Sequence, residues 1–325
     1  MSRNICVYLE FLTEAHRAQI QEAAHSAGFS VRFFSLEEEA AARAFLPECE
    51  VLYAHAPELL RAAPATLQWY CCAYAGADPY CKDDGIFANP ACLLTNSSGG
   101  YGVTIAEHLL MVILMLLRRM PEYEAVVRRR EWSNQLPIRS IHGSAITVLG
   151  TGNIGTTFAA RAKACGAASI TGVSRSGACR DTVYDACLPI TRLEEILPKT
   201  DILVMALPGT PETEHILNQS RLALLPRHAI VVNVGRGGAV DQEALMNALN
   251  SGAIAGAALD VMTPEPLPAN HPLWDTKNLL LTPHVSGNMT LGYTCDKNVE
   301  MFCRDLAHYA AGQPLEHLVD RRVGY

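Results

Sequence analysis

The run Gly150-Thr151-Gly152-Asn153-Ile154-Gly155 fits the pattern G-x-G-x-x-G, and its surroundings decide what that pattern could do. It follows the apolar stretch Ala145-Ile146-Thr147-Val148-Leu149 and opens an Ala-rich helical stretch. In a strand-to-helix turn of this kind Gly150 would close the turn, Gly152 would let backbone approach a pyrophosphate, and Gly155 would let helix and strand pack closely. The helix N-terminus, with Thr151, Asn153 and Ile154, would supply N–H donors to the anion. Glycine is common here, with 23 copies, so an ordinary strand-to-helix turn is the other reading of the same residues.

About 20 residues past the last glycine, an acidic side chain would hydrogen-bond the adenosine ribose of NAD. This chain has Ser174-Arg175-Ser176 there, with Arg180 nearby. Hydroxyls and a guanidinium bind a 2′-phosphate through charge-assisted hydrogen bonds, and the missing carboxylate removes a repulsion against it. The expected cofactor is therefore NADP(H), with NAD(H) possible. Solvated loop residues that discriminate weakly are the alternative.

Three more segments each follow a candidate strand, at the ends where open α/β sheets bind ligands. They are Asn233-Val234-Gly235-Arg236-Gly237-Gly238, Asp260-Val261-Met262-Thr263-Pro264-Glu265-Pro266 and Thr282-Pro283-His284-Val285-Ser286-Gly287. With the glycine turn, they make the chain resemble the D-isomer-specific 2-hydroxyacid dehydrogenase family, in particular its glyoxylate/hydroxypyruvate reductases. The resemblance runs from Tyr74-Ala75-Gly76-Ala77-Asp78 to Val319-Asp320-Arg321-Arg322-Val323-Gly324-Tyr325.

The resemblance implies a role for each residue. Hydride addition to C2 of a 2-oxo acid builds negative charge on the carbonyl oxygen, and His284 is implied as the proton donor, acting as general acid/base. Glu265 is implied to hydrogen-bond the other ring nitrogen, fixing the tautomer and supporting the protonated ring. Arg236 is implied to offer its planar fork to the substrate carboxylate and carbonyl. Ala75 and Gly76 resemble the loop whose N–H groups hold the carboxylate, and Asp260 the acid that binds the nicotinamide carboxamide. Leu207, Pro208, Thr213, Val234, His284 and Gly287 are implied to line the cofactor, although Gly209 departs from the apolar residue often found there. For Asp260, and for Asn96 before the long helical stretch, turn or capping duty is an equal reading. Trp132 and Trp274 read as core rather than ligand contacts.

The implied activity is an NADP(H)-preferring reductase of a small 2-oxo acid, such as glyoxylate, hydroxypyruvate, or a branched or aromatic acid. Side chains around Tyr53-Ala54-His55 and Tyr74 are expected to set which one. A cofactor-sensing binding protein or corepressor uses the same fold and is the reading from another class. An NAD-dependent phosphoglycerate dehydrogenase-like enzyme is also open, though Ser174 and a chain ending at Tyr325 without a further regulatory domain speak against it. Formate dehydrogenases pair their His with Gln, whereas Glu265 is acidic.

These residues need a scaffold, and the pattern around them provides one. Candidate strands at 5–8, 31–34, 51–53, 67–71 and 92–95 alternate with helical patterns at 14–27 and 36–45, which argues for a parallel sheet with helices on its faces. A long helical stretch over 104–130 follows. Six further strands are expected at 145–149, 169–173, 202–206, 229–234, 255–259 and 279–281, then a helix over 291–311 that returns to the first domain. The expected fold is α/β with two doubly wound sheets, a Rossmann cofactor domain (101–288) inserted into a flavodoxin-like substrate domain (1–100 with 289–325). Two crossings between domains imply a hinge, and family members pair through the cofactor domain, so a homodimer is expected.

Composition bounds the rest. Lys and Arg number 26 against 33 Asp and Glu, a net charge of −7, which lacks the basic excess of a nucleic-acid binder. With 49% hydrophobic and 18% charged residues the chain is globular rather than disordered. The longest apolar run, 109–117, falls short of the roughly 20 residues of a membrane span, and the N-terminal apolar run is too short for a signal peptide. Eleven scattered cysteines without a CxxC pair predict no disulfide framework and no metal site, and with them a reducing cytoplasm.

Overall fold

The computed structural model describes residues 3–83, 85–179 and 181–324. Arg180, singled out beside Ser174, lies outside the described residues, as do Met1 and Ser2 of the N-terminal run and Tyr325 at the end of the family resemblance. The chain divides into two compact units, Met1–Tyr101 with Met289–Tyr325, and Gly102–Asn288.

In the first unit the chain runs β1 (Arg3–Tyr8), α1 (Glu14–Ser26), β2 (Phe29–Phe34), α2 (Glu39–Phe45), β3 (Val51–Ala54), α3 (Pro57–Arg61), β4 (Trp69–Cys72), α4 (Asp78–Cys81) and β5 (Leu93–Thr95). All five strands pair in parallel in the order β2-β1-β3-β4-β5, a flavodoxin-like sheet. β3 and β4 are buried throughout, as strands covered on both faces must be, which is why they read as continuous apolar runs. At the start of α1, Thr13 Oγ1 accepts from His16 N–H while His16 Nδ1 accepts from Thr13 N–H, a reciprocal cap for two orphan donors.

The second unit opens with a correction. The single helix expected over 104–130 is two, α5 (Gly102–Leu117) and α6 (Met120–Arg128), with Arg119 between them in the left-handed region at φ 57°. Pro121, in the first turn of α6, explains the break: it has no N–H for the helix ladder and its ring collides with the preceding turn. There follow β6 (Ala145–Leu149), α7 (Asn153–Ala164), β7 (Ser169–Ser174), β8 (Ala186–Pro189), α8 (Leu193–Ile196), β9 (Ile202–Met205), α9 (Gln219–Leu222), β10 (Ile230–Asn233), α10 (Gln242–Asn250), β11 (Gly256–Leu259) and β12 (Leu279–Leu281).

The sheet order β12-β11-β10-β9-β6-β7-β8 is a Rossmann arrangement whose direction of winding reverses beside β6. It has seven strands rather than the six expected. The extra strand, β8, is short, ends in Pro189 and forms one edge, where strand signals are weakest. A second correction concerns cysteine. Cys179 and Cys187 are joined in a disulfide, because β8 sets Cys187 opposite Gly172 of β7 and the intervening loop returns Cys179 to the same glycine. The tryptophans correct the reading too. Trp132 is 100% exposed in an irregular polar stretch beyond α6, and Trp274 is half-exposed with its indole N–H on the Pro268 carbonyl; neither sits on an apolar stripe that would bury it.

The last helix, α11 (Gly292–Ala310), belongs to the first unit, where it packs on α1 and places Val299, Phe302 and Leu306 against Ile5, Tyr53 and Trp69 of the sheet. Tyr53 and Phe302 stack at 4.2 Å between ring centres. No helix among the described residues is long and apolar enough to cross a membrane, and no group of three His, Cys, Asp or Glu among them could hold a metal ion.

Candidate active site

Each glycine of the turn after β6 has a different spatial reason. Gly150 has φ 97°, and a Cβ there would stand 2.5 Å from the Ala206 carbonyl oxygen, so only glycine closes this turn. At Gly155 a Cβ would meet the Gly150 carbonyl oxygen at 2.1 Å and Val148 Cγ1 at 2.9 Å, so α7 reaches β6 only without a side chain. Beside Gly152, by contrast, nothing lies within 4 Å of a Cβ. The turn is therefore tight where helix meets strand and open over Gly152, which is where backbone would approach a pyrophosphate. These residues fit a dinucleotide.

Ser174 ends β7 and staples the loop beyond it. Its hydroxyl donates to the Ala178 carbonyl at 3.0 Å and accepts from Gly177 N–H at 3.0 Å. Ser176 Oγ accepts from Ala178 N–H at 3.3 Å and keeps its own proton to donate. Arg175 is exposed on the same loop. Leu207 and Pro208 follow β9, and Thr213 is tied back to them by a hydrogen bond from its hydroxyl to the Pro208 carbonyl at 2.7 Å.

Arg236, Glu265 and His284 lie beyond β10, β11 and β12, three neighbouring parallel strands, so the segments that carry them leave the sheet at the same edge. Contacts link the segments. Asn233 fixes the turn carrying Arg236, accepting from Gly235 N–H at 3.0 Å and donating to the Arg236 carbonyl at 2.8 Å. A Cβ on Gly237 would stand 2.1 Å from the Met262 carbonyl oxygen, so this turn lies directly against the segment after β11. Met262 N–H donates to Glu265 Oε1 at 2.8 Å, and Glu265 Oε2 lies 2.8 Å from His284 Nδ1. Neutral His284 thus carries a proton on Nδ1 toward the carboxylate and presents Nε2 on its other side. The imidazole is half-exposed, so a small molecule can reach it.

His284 adopts φ 53°, a conformation that costs most residues energy and persists only where surroundings impose it. Asp260 imposes it. The Asp260 carbonyl accepts from His284 N–H at 2.9 Å, while its buried carboxylate takes hydrogen bonds from Thr282 Oγ1 at 2.6 Å and from the N–H groups of Val285 at 2.9 Å and Ser286 at 3.0 Å. Burial alone would raise this carboxyl, but the hydrogen bonds from Ser286, Thr282 and Val285 outweigh it and hold the group below its ordinary value. Gly287 follows directly.

In the first unit the loop after β4 carries Ala75 and Gly76. Its carbonyls are anchored one after another: Ala73 accepts from Asn298 Nδ2 at 2.7 Å and Tyr101 OH at 3.0 Å, Tyr74 from Ser97 N–H at 3.2 Å, and Ala75 from Asn96 Nδ2 at 2.6 Å. Holding three successive carbonyls sets the peptide planes and so the N–H groups of Ala75 and Gly76. Asn96 is thus a positioning residue for the loop. Asn298 was missed, although a polar residue on the apolar stripe of the last helix was visible in the sequence. Of the expected specificity residues, Tyr53 and Ala54 are fully buried, with Tyr53 OH on Asn298 Oδ1 at 2.8 Å, whereas His55 and Tyr74 are exposed and their rings meet at 4.1 Å.

A family model described as "D-isomer specific 2-hydroxyacid dehydrogenase, NAD binding domain" matches residues 110–286. Among curated relatives, a glyoxylate reductase of Aeropyrum pernix is 37% identical over 238 residues, covering 71% of this chain and 70% of that one. Among solved structures, a D-isomer specific 2-hydroxyacid dehydrogenase family protein from Aeromonas salmonicida superposes with a TM-score of 0.85 at 32% identity, over 98% of this chain and 100% of that one. An NADPH-dependent glyoxylate/hydroxypyruvate reductase from Sinorhizobium meliloti, in complex with NADP and sulfate, gives a TM-score of 0.82 at 27% identity with both chains fully covered.

Proposed function

This chain belongs to the D-isomer-specific 2-hydroxyacid dehydrogenase family and is an NAD(P)-dependent oxidoreductase, and from its site we propose that it uses NADP(H) to reduce a small 2-oxo acid of the glyoxylate or hydroxypyruvate kind. The observation that carries this reading is the 2.8 Å pairing of His284 with Glu265, at the same sheet edge as Arg236.

The glycine turn, the Ser174-Arg175-Ser176 loop, Leu207, Pro208, Thr213, Val234, Asp260 and Gly287 would hold the cofactor, which when bound supplies the hydride. Arg236 binds the substrate carboxylate and polarises the carbonyl with its fixed fork of donors. The N–H groups of Ala75 and Gly76 are further donors for the carboxylate. Protonated His284, its Nδ1–H held by Glu265, gives its Nε2 proton to the oxygen on which charge develops and is left as the neutral Nδ1–H ring; in the reverse direction Nε2 takes the proton back. Glu265 holds the imidazolium; its second oxygen is occupied by Met262 N–H, so the carboxylate cannot swing away without losing that bond.

The NADP(H) preference is supported by the absence of an acid at the end of β7 and by the presence there of Arg175 and the Ser176 hydroxyl; Ser174, whose proton goes to the Ala178 carbonyl, shapes the loop instead. We also propose that two copies pair through the second unit. The test of the activity is loss of NADPH absorbance with a panel of 2-oxo acids, repeated with NADH. Turnover of glyoxylate or hydroxypyruvate is expected, with higher kcat/KM for NADPH. Tight cofactor binding without turnover of any acid would instead make the chain a cofactor-sensing binding protein. Ser174→Asp should lower the NADPH-to-NADH ratio of kcat/KM by about tenfold or more, because a carboxylate would repel the 2′-phosphate; an unmoved ratio refutes this account of the loop.

A further inference from the structure

The loop that leaves β7 at Ser174 contains Cys179, and Cys179 is bonded to Cys187 in β8, while every other cysteine is a free thiol. Both bonded residues are half-buried rather than enclosed in the core. Their bond sits where the cofactor loop meets the glycine turn. Cys179 Sγ lies 2.8 Å from the point a Cβ would occupy on Gly172, and the same point is 2.7 Å from Thr151 Cγ2 and 2.9 Å from Tyr184 Cδ1. Tyr184, inside the ring that the disulfide closes, has its hydroxyl 3.2 Å from Thr156 Oγ1, which also donates to the Thr151 carbonyl. Gly177, two residues before Cys179, rests against Pro189 of β8, where a Cβ would be 2.8 Å from the proline ring. One covalent bond therefore fixes Ser174-Arg175-Ser176 against both β8 and the segment after β6.

We propose that Cys179 and Cys187 form a thiol–disulfide switch that sets the affinity for NADP(H). This rests on the reading of Ser174-Arg175-Ser176 as the 2′-phosphate loop. With the bond intact, the loop is preorganised for the anion; with it reduced, the loop must be ordered on binding, at a cost in affinity. The reductant is a dithiol. One of its thiolates attacks one protein sulfur, the S–S bond breaks, and the other cysteine leaves as a thiolate and takes a proton. The second thiol of the reductant then attacks the mixed disulfide, releasing the other cysteine as a thiol and leaving the reductant as a cyclic disulfide. Two electrons and two protons pass to the protein.

The experiment uses the full chain, oxidised or treated with dithiothreitol, with the state of Cys179 and Cys187 read by alkylation and peptide mass. Reduction is expected to raise the Kd and KM for NADPH by about three- to tenfold, with kcat at saturation and the KM for NADH moving less than about twofold, because only loop ordering changes. The half-effect should coincide with the appearance of the Cys187 thiol. Cys187→Ser should behave as the reduced protein with or without dithiothreitol, and Cys165→Ser, which alters an exposed free thiol, should keep the response. If that first variant does not fold, the dithiothreitol titration of the unaltered chain decides alone. Free thiols at 179 and 187 after oxidation, or equal NADPH affinity in both states, overturn the switch. A chain with no preference for NADPH over NADH in either state overturns the cofactor reading beneath it.

Discussion

In the proposed reaction the proton comes from His284, and its neighbours explain how a half-exposed imidazole could serve as a directed acid. Its backbone is pinned by Asp260, its Nδ1 by Glu265, and what remains to act is Nε2. His284→Ala should therefore lower kcat by about 10²- to 10⁴-fold, the range for a lost general acid, while the Kd for NADPH, measured by fluorescence titration, stays within a few-fold. An unchanged rate removes His284 as the acid. The candidate residues stood out in the sequence because each stands in a short segment after a strand, and the structure brings His284 and Glu265 together. Their supports were less legible. Asp260 reads equally as a turn residue or a cofactor contact, and only its three donors show that it shapes the loop of His284. Asn96 was open in the same way, and it does both: its Oδ1 accepts from Ser98 N–H at 3.2 Å as a turn residue does, and its Nδ2 holds the Ala75 carbonyl at 2.6 Å.

At the scale of the element, the glycine turn makes two opposed predictions. Gly155→Ala puts a methyl against backbone with no flexible side chain to give way, so the fold should lose about 1–3 kcal/mol or more, read by urea unfolding. Gly152→Ala enters open space, so stability should hold while NADPH affinity falls at least about tenfold, since the methyl occupies ground the pyrophosphate needs. If both variants lose stability equally, or Gly152→Ala binds NADPH normally, the assignment of the turn fails. The loop around Asp260 adds a pH dependence. Its carboxyl is lowered on folding, so its contribution to stability is present above the unfolded value of 3.8 and is lost as pH falls through the lower folded value. Asp260→Asn should cost about 1–3 kcal/mol at pH 7, and its melting temperature should fall less than that of the unaltered chain between pH 5 and pH 3; parallel falls would exclude this carboxylate as the source. Central strands and the turn were legible from apolar runs and glycine spacing. The edge strand β8 and the break at Arg119 were not, because one, Ala186–Pro189, is partly exposed, ends in proline and lacks the β-branched apolar run of the central strands, and the other depends on a single proline in an otherwise helical pattern.

For the whole molecule, the motif positions made the nested organisation legible, since the glycine turn and all three candidate catalytic segments fall inside Gly102–Asn288 while the chain returns to the first unit afterwards. A net charge of −7 means that cations for an anionic substrate and cofactor must be local, and Arg236 and Arg175 are the residues we propose for that role. What one chain leaves unsatisfied is α5. It buries Ile105, Ala106, Leu109, Val112, Ile113 and Leu117, yet the middle of its exposed face is also apolar, with Met111 and Leu114 exposed by 47% and 42% between Glu107 and Arg118. These two line a groove of about 640 Å³ with Met115, Met120, Tyr123, Ile138 and, as its one charged group, Arg118. A helix apolar on both sides is one that packs on both sides, and a second copy presenting the same face would cover it symmetrically. The double variant Met111→Glu with Leu114→Glu should therefore weaken self-association by more than about tenfold, because burying two carboxylates in that interface costs well over 1.4 kcal/mol. Sedimentation over a range of concentrations measures it: the unaltered chain should be a dimer and the variant largely a monomer. A monomer in both cases, or a dimer that the two charges leave intact, would show that the partner of α5 is not another copy of this chain.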